Sequence, residues 1–221
     1  GDRWQSLQLN LPPCSVRDLV IHANDLIVAT HGRGFWVLDD ITSLRQINDD
    51  VAKSNAYLFR PANAYNVPPP SEHGTPKPRD EALAENASYG ALIDYYLKTA
   101  ATGPVTLEIL DPSGEVIRRY SSEDKSPPVN PDALNIPVFW VRRPEPLSTA
   151  AGMHRWVWDL RPQPTGEGGR RGGGGGGGGF GRGGESRVLP GVYTVKLSVG
   201  GKSYIQQLVV KPDPRANDNT R

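Results

Sequence analysis

Strict alternation governs residues 193 to 199. Tyr193, Val195, Leu197 and Val199 fall on one side of an extended chain, and Thr194, Lys196 and Ser198 on the other. A period of two marks a strand with one buried face. Gly200-Gly201 supplies a two-residue turn, and Tyr204 to Val210 returns as the second arm of a hairpin. The same pattern recurs upstream. Ala91 to Leu97 is a further strand signal, Val105 to Leu110 alternates, and Asp111-Pro112-Ser113-Gly114 turns the chain into Glu115 to Tyr120. Pro137 to Val141 is a weaker strand candidate. His154, Trp156, Trp158 and Leu160 share one side against Arg155, Val157 and Asp159, so Trp156 and Trp158 are expected on the inner face.

About seven antiparallel strands in roughly 120 residues predict an Ig-like or fibronectin-III-like β-sandwich over 88–212. A different unit precedes it. Val16 to Ile21, Leu26 to Thr30 and Phe35 to Leu38 are three β-rich runs, broken by Asn24-Asp25 and by His31-Gly32-Arg33-Gly34 and closed by Asp39-Asp40. That is a β-meander, too small to be stable without partners. Residues 1–60 are therefore read as a unit that completes something larger, with one or two short helices between Ser43 and Lys53. Residues 61–87, with Pro68-Pro69-Pro70, Pro76 and Pro78, read as a semi-rigid linker. Residues 213–221 read as a flexible tail. The fold class expected is all-β, a meander followed by an antiparallel sandwich.

Glycine is concentrated in one place. The stretch Gly166 to Gly184 holds 14 of the 25 glycines, and Arg161 to Arg187 carries five Arg against two Glu. That segment accounts for the whole formal charge of +1, so the rest of the chain has no one-sided field of the kind that nucleic acid or membrane binders show. Such a composition cannot bury a core, and 162–187 is expected to be a disordered loop between two strands. Lengthening a hairpin loop from ~5 to ~27 residues costs only about 1.5 kcal/mol of closure entropy. No apolar run approaches the ~18 residues of a membrane span.

Few residues carry chemistry. Cys14 is the single cysteine, which excludes an internal disulfide, and the four histidines lack ligand spacing. No metal site and no cofactor are expected. Gly32-x-Gly34 follows a strand, but Phe35 to Leu38 is strand rather than helix, so the glycines serve a turn and not a phosphate cradle. His31 and Arg33 in that turn are the candidate ligand-binding residues. Asp39-Asp40 and Asp159 have no facing carboxylate that the pattern requires, so no catalytic residue is assigned. Arg170-Arg171 and Phe180-Gly181-Arg182-Gly183-Gly184 look like Arg-Gly-Gly segments that bind RNA. Eight consecutive glycines and no repeated Arg-Gly-Gly unit favour a tolerated loop expansion instead, and nucleic acid is not an expected partner.

Two stretches carry a resemblance. Val16 to His22 and Asn24 to Asp40, around Thr30-His31-Gly32-Arg33-Gly34-Phe35-Trp36, resemble the final blade of bacterial sortilin-like, BNR-repeat β-propellers, which are often labelled glycoside-hydrolase-like. The stretch departs from the usual Asp-box (Ser-x-Asp-x-Gly-x-x-Trp), so the sugar-hydrolase label finds no support in this blade. Gly152 to Arg161 followed by Leu189-Pro190-Gly191-Val192-Tyr193 is similar to the Trp-Asp … Pro-Gly-x-Tyr signature of FlgD-type Ig-like modules.

The resemblance implies a secreted or periplasmic bacterial protein. This chain would be its non-catalytic C-terminal part, closing the propeller and adding an accessory sandwich. The implied partner is the remainder of the propeller, with glycans or cell-surface proteins as possible ligands of the whole. One alternative is a glycan-binding or glycoside-hydrolase-like protein whose active site lies in the other blades. A second is RNA or polyanion binding through the Arg/Gly-rich loop.

Overall fold

A computed structural model of the chain describes residue 4 and residues 6–68, 82–126, 128–135, 137, 138, 141, 143, 145–164 and 187–216. Among these the protein is all-β, with eleven strands and no helical segment longer than five residues. No helix among them is long and apolar enough to cross a membrane.

The first three strands are β1 (Val16–His22), β2 (Asp25–Thr30) and β3 (Phe35–Leu38), an antiparallel sheet in chain order. A 3-10 turn (Leu44–Gln46) and helix α1 (Asp49–Lys53) follow. Asn48 caps α1 by accepting from the amides of Asp50 and Val51.

The remaining strands are β4 (Ala56–Leu58), β5 (Ala64–Tyr65), β6 (Ala91–Leu97), β7 (Thr106–Leu110), β8 (Val116–Ser121), β9 (Gly152–Trp158), β10 (Gly191–Val199) and β11 (Lys202–Lys211). They form two sheets, β4-β6-β9 and β5-β11-β10-β7-β8. All pairings are antiparallel except β5 with β11, which is parallel through Val210 and Ala64. Both sheets feed one core: Ile93, Tyr95 and Trp158 from the first meet Leu107, Ile109, Val195, Leu197 and Leu208 from the second. Gly200 and Gly201 at the β10–β11 turn have φ of 57° and 73°, the two positive angles that a two-residue hairpin with the native twist needs.

Several expectations are revised. The sequence pattern assigns residues 56–65 to the end of the meander unit and the start of the linker. They instead form β4, which pairs with β6, and β5, which pairs with β11. Strands of three and two residues are too short to show a period, and the prolines beside β5 disguise it further. Pro137, Val138 and Val141 lie in no strand, and Phe139 and Trp140 fall outside the described residues. The same is true of residues 69–81 of the linker, 165–186 of the glycine-rich segment and 217–221 of the tail. Trp158 is fully buried, whereas Trp156 is half-buried against the core edge.

The first sheet is packed very differently. Its register stacks Ile21, Leu26 and Leu38 in one row, Val20, Ile27 and Val37 in the next, and Leu19, Val28 and Trp36 in the third. Successive rows point to opposite faces. Both faces are therefore apolar, yet every residue of β1 is exposed, with Leu19 and Ile21 at 54% and Phe35 of β3 at 79%.

Candidate functional site

His31 and Arg33 sit exposed in the β2–β3 turn. The turn is held by its own polar groups. Thr30 Oγ1 donates to the Gly34 carbonyl at 2.7 Å and accepts the Arg33 amide, while Trp36 Nε1 donates to the Arg33 carbonyl at 3.0 Å. The His31 amide bonds the Ser15 carbonyl. Among the described residues, no other titratable side chain is joined to this pair by a hydrogen bond or ion pair. Among the described residues no three His, Cys, Asp or Glu side chains converge as a metal site.

Asp39 and Asp40 have a structural task that the sequence reading did not foresee. Alternation along β6 turns Asp94 away from the core, but Asp94 is buried because the segment after β3 lies over it. Arg155 stands directly opposite on β9 and grips both Asp94 oxygens. Its terminal nitrogens also donate to the carbonyls of Asp39 and Asp40, and Ser43 Oγ donates to Asp94 Oδ2. The turn between β1 and β2 joins this assembly: Asp25 Oδ1 accepts the Asp40 amide, and Arg45 bonds Asn24 and Ala23. Burial, then repulsion from Asp25, holds the Asp39 carboxyl above its ordinary range, and Arg155 opposes both. All these groups are used to join the first sheet to the second, and the niche around Asp94 has no room for a water-sized ligand.

An open concavity lies elsewhere among the described residues. β8 and β9 are each the edge strand of their sheet, and a groove of about 590 Å³ runs between them. Register puts Arg118 opposite Ile109 and Tyr120 opposite Leu107, so both belong to the inner face of the five-stranded sheet. Trp156 supplies the facing wall from β9, its ring edge-to-face with Tyr120 at 4.8 Å. The Arg118 guanidinium lies 5.0 Å from the Tyr120 ring centre and donates from Nη1 to the Pro162 carbonyl. Arg118 Nε and Trp156 Nε1 are buried and form no aligned hydrogen bond, although both neighbour the Tyr120 hydroxyl. Burial raises the Tyr120 phenol above its ordinary range. Arg119, Asp124, Lys125 and Glu145 complete the charged lining. The sequence reading missed this site. Its traces were Trp156, expected on the inner face of its strand, and Arg118 in the returning arm of a hairpin, at a position where the partner strand offers Ile109.

No family model matches the chain, and no curated protein and no solved structure matches it. The class that the fold defines is an all-β protein with two sheets on one core and a third sheet apolar on both faces.

Proposed function

We propose that this chain is the last blade of a β-propeller followed by an Ig-like module, and that its task is to seal the propeller and carry an accessory interaction domain. The observation that carries this reading is the first sheet. A sheet apolar on both faces is built to be covered on both. Blades packed around a propeller channel are in that situation, and the remainder of the propeller is then the covering partner. The exposure of Leu19, Ile21 and Phe35 fits a blade without its neighbours.

Two features support the Ig-like part. The short β5 runs parallel to the last strand, and the order β4-β6-β9 against β5-β11-β10-β7-β8 matches a sandwich of that type. Tyr193 near the start of β10 donates from its hydroxyl to the Leu189 carbonyl at 2.7 Å, as in a tyrosine corner. On this reading the whole protein works outside the cytoplasm, an extension that rests on the sequence resemblance to sortilin-like propellers alone.

Amide hydrogen exchange tests the reading. In this chain alone, amides of β1 to β3 should exchange at least about 100-fold faster than those of β6 and β10. Joined to the other blades, β1 to β3 should become as slow as β6. Equal protection of all three sheets in the chain alone would contradict the proposal.

A further inference from the structure

The groove between β8 and β9 is independent of the propeller reading, and its polar groups are unusual. Arg118 places a cation on a sheet face whose other members, Leu107, Ile109, Val195 and Leu197, are core residues. Its Nε and the Nε1 of Trp156 are buried beside the Tyr120 hydroxyl but poorly aligned with it, and a buried donor without a well-aligned acceptor is destabilising. A ligand that fits must bring acceptor oxygens, and a carboxylate best answers a guanidinium.

The edge of β8 adds a main-chain requirement. Ser122 donates to the Val105 carbonyl, which makes Ser121 and Thr106 a non-hydrogen-bonded pair and alternation turns the peptide groups of residues 117, 119 and 121 outward. The Ile117 carbonyl accepts from Gln163, and the Ser121 amide donates to Asp124 Oδ2. Between them, the amide and carbonyl of Arg119 have no partner among the described residues. An extended peptide supplies both groups at one residue, as in strand addition to a sheet edge. A sugar is a poorer match. Its usual platform is an open aromatic face, and here Arg118 covers Tyr120 while the Trp156 ring is turned edge-to-face with it.

We infer that the β8–β9 groove binds an extended acidic peptide segment, with the Arg119 main chain pairing to the peptide backbone and Arg118 and Trp156 Nε1 holding a carboxylate. Arg119 and Lys125 add two further positive charges to the lining, and Asp124 and Glu145 are the opposing ones.

The test uses the full chain, ¹⁵N-labelled, titrated with the blocked peptide Ac-Ser-Glu-Val-Glu-Val-Glu-Ser-NH2. Shift changes should concentrate at residues 116–121 and at the Trp156 indole, with a Kd on the order of 10–100 µM, since one short strand contributes little surplus binding energy. R118Q should weaken binding at least about tenfold, the loss of one charge-assisted pair. W156F removes the indole N–H while leaving an aromatic ring, smaller than the indole, against Tyr120, and should weaken binding at least about threefold, the value of one hydrogen bond. E145Q, which removes one of the two opposing charges, should tighten it about twofold to fivefold. W156F and E145Q decide the matter if R118Q fails to fold. Equal binding of the Lys-for-Glu peptide, binding of free glutamate as tight as the peptide, tighter binding of polygalacturonate, or shifts confined to residues 16–38 would each overturn the inference.

Discussion

Arg155 and Asp94 face each other across the β6–β9 ladder, with Arg155 Nε 2.8 Å from Asp94 Oδ1. The same guanidinium holds the carbonyls of Asp39 and Asp40, so one cation joins the exposed three-stranded sheet to the packed pair of sheets. Removing it leaves a buried carboxylate without its counter-charge. R155M should therefore cost about 3 kcal/mol, at the low end for a buried pair because the Arg155 side chain is 31% exposed. The double variant D94N/R155M should recover part of that loss. Urea denaturation measures both, and a loss below about 1 kcal/mol in R155M would place this pair among ordinary surface ion pairs.

Tyr95 lies in the core, and its hydroxyl donates to the Ser148 carbonyl at 2.8 Å. Burial pushes its phenol up to about 12 from the ordinary 10.0. The folded state thus keeps a proton that the unfolded chain releases. This stabilisation is present in full below about pH 10 and is lost as pH rises toward 12, at up to about 1.4 kcal/mol per pH unit. Y95F should cost about 1 kcal/mol near neutrality, for the lost hydrogen bond, and should flatten the alkaline decline. Unfolding free energies from pH 8 to 12 for both proteins give the comparison, and parallel curves would exclude Tyr95 as the cause.

Gly90 precedes β6 at φ 138°, and a Cβ there would stand 2.1 Å from the Trp158 carbonyl oxygen. Neither backbone can yield without opening the β6–β9 ladder. G90A should cost more than about 3 kcal/mol, as overpacking against rigid backbone does. Y193F, which only removes the bond to Leu189, should cost about 1 kcal/mol. Thermal denaturation of the two variants should keep that order.

The Leu160 carbonyl accepts from the Val188 amide at 2.8 Å, so residues 161 to 187 leave and re-enter the fold at one point. Replacing residues 165–186 with a short Gly-Ser link should leave the sheets intact and stabilise the chain by about 1 kcal/mol through closure entropy. Retention of the core is read from near-ultraviolet circular dichroism. The same deletion addresses the RNA alternative: if weak polyanion binding across salt is unchanged by it, the Arg/Gly segment is not the binder.

Much of the fold was legible because alternation is written in consecutive residues. Tyr193, Val195 and Leu197 declare their buried face within seven positions, and all three lie in the core. Trp158 is equally plain. The candidate site was far less legible. His31 and Arg33 stand out in the sequence for their glycine neighbours, but their turn satisfies its own main chain. Arg118 reads as one of several charges in a hairpin until its register is known, and Trp156 lies 38 positions further on.

Local order alone therefore determined that the chain is all-β, where the longer strands lie to within about two residues, and which side of the packed ones seeks the core. Tertiary structure decided what pairs at a distance. β4 and β5 are strands only because β6 and β11 offer them an edge. Asp94 falls on the outward side of β6 by alternation, and it is buried only because a segment from the first sheet and Arg155, 61 residues away, close over it. The physical reason is one of range. Hydrophobic periodicity is a property of neighbours, whereas a ladder edge or counter-charge is satisfied by whatever residue the completed fold brings there.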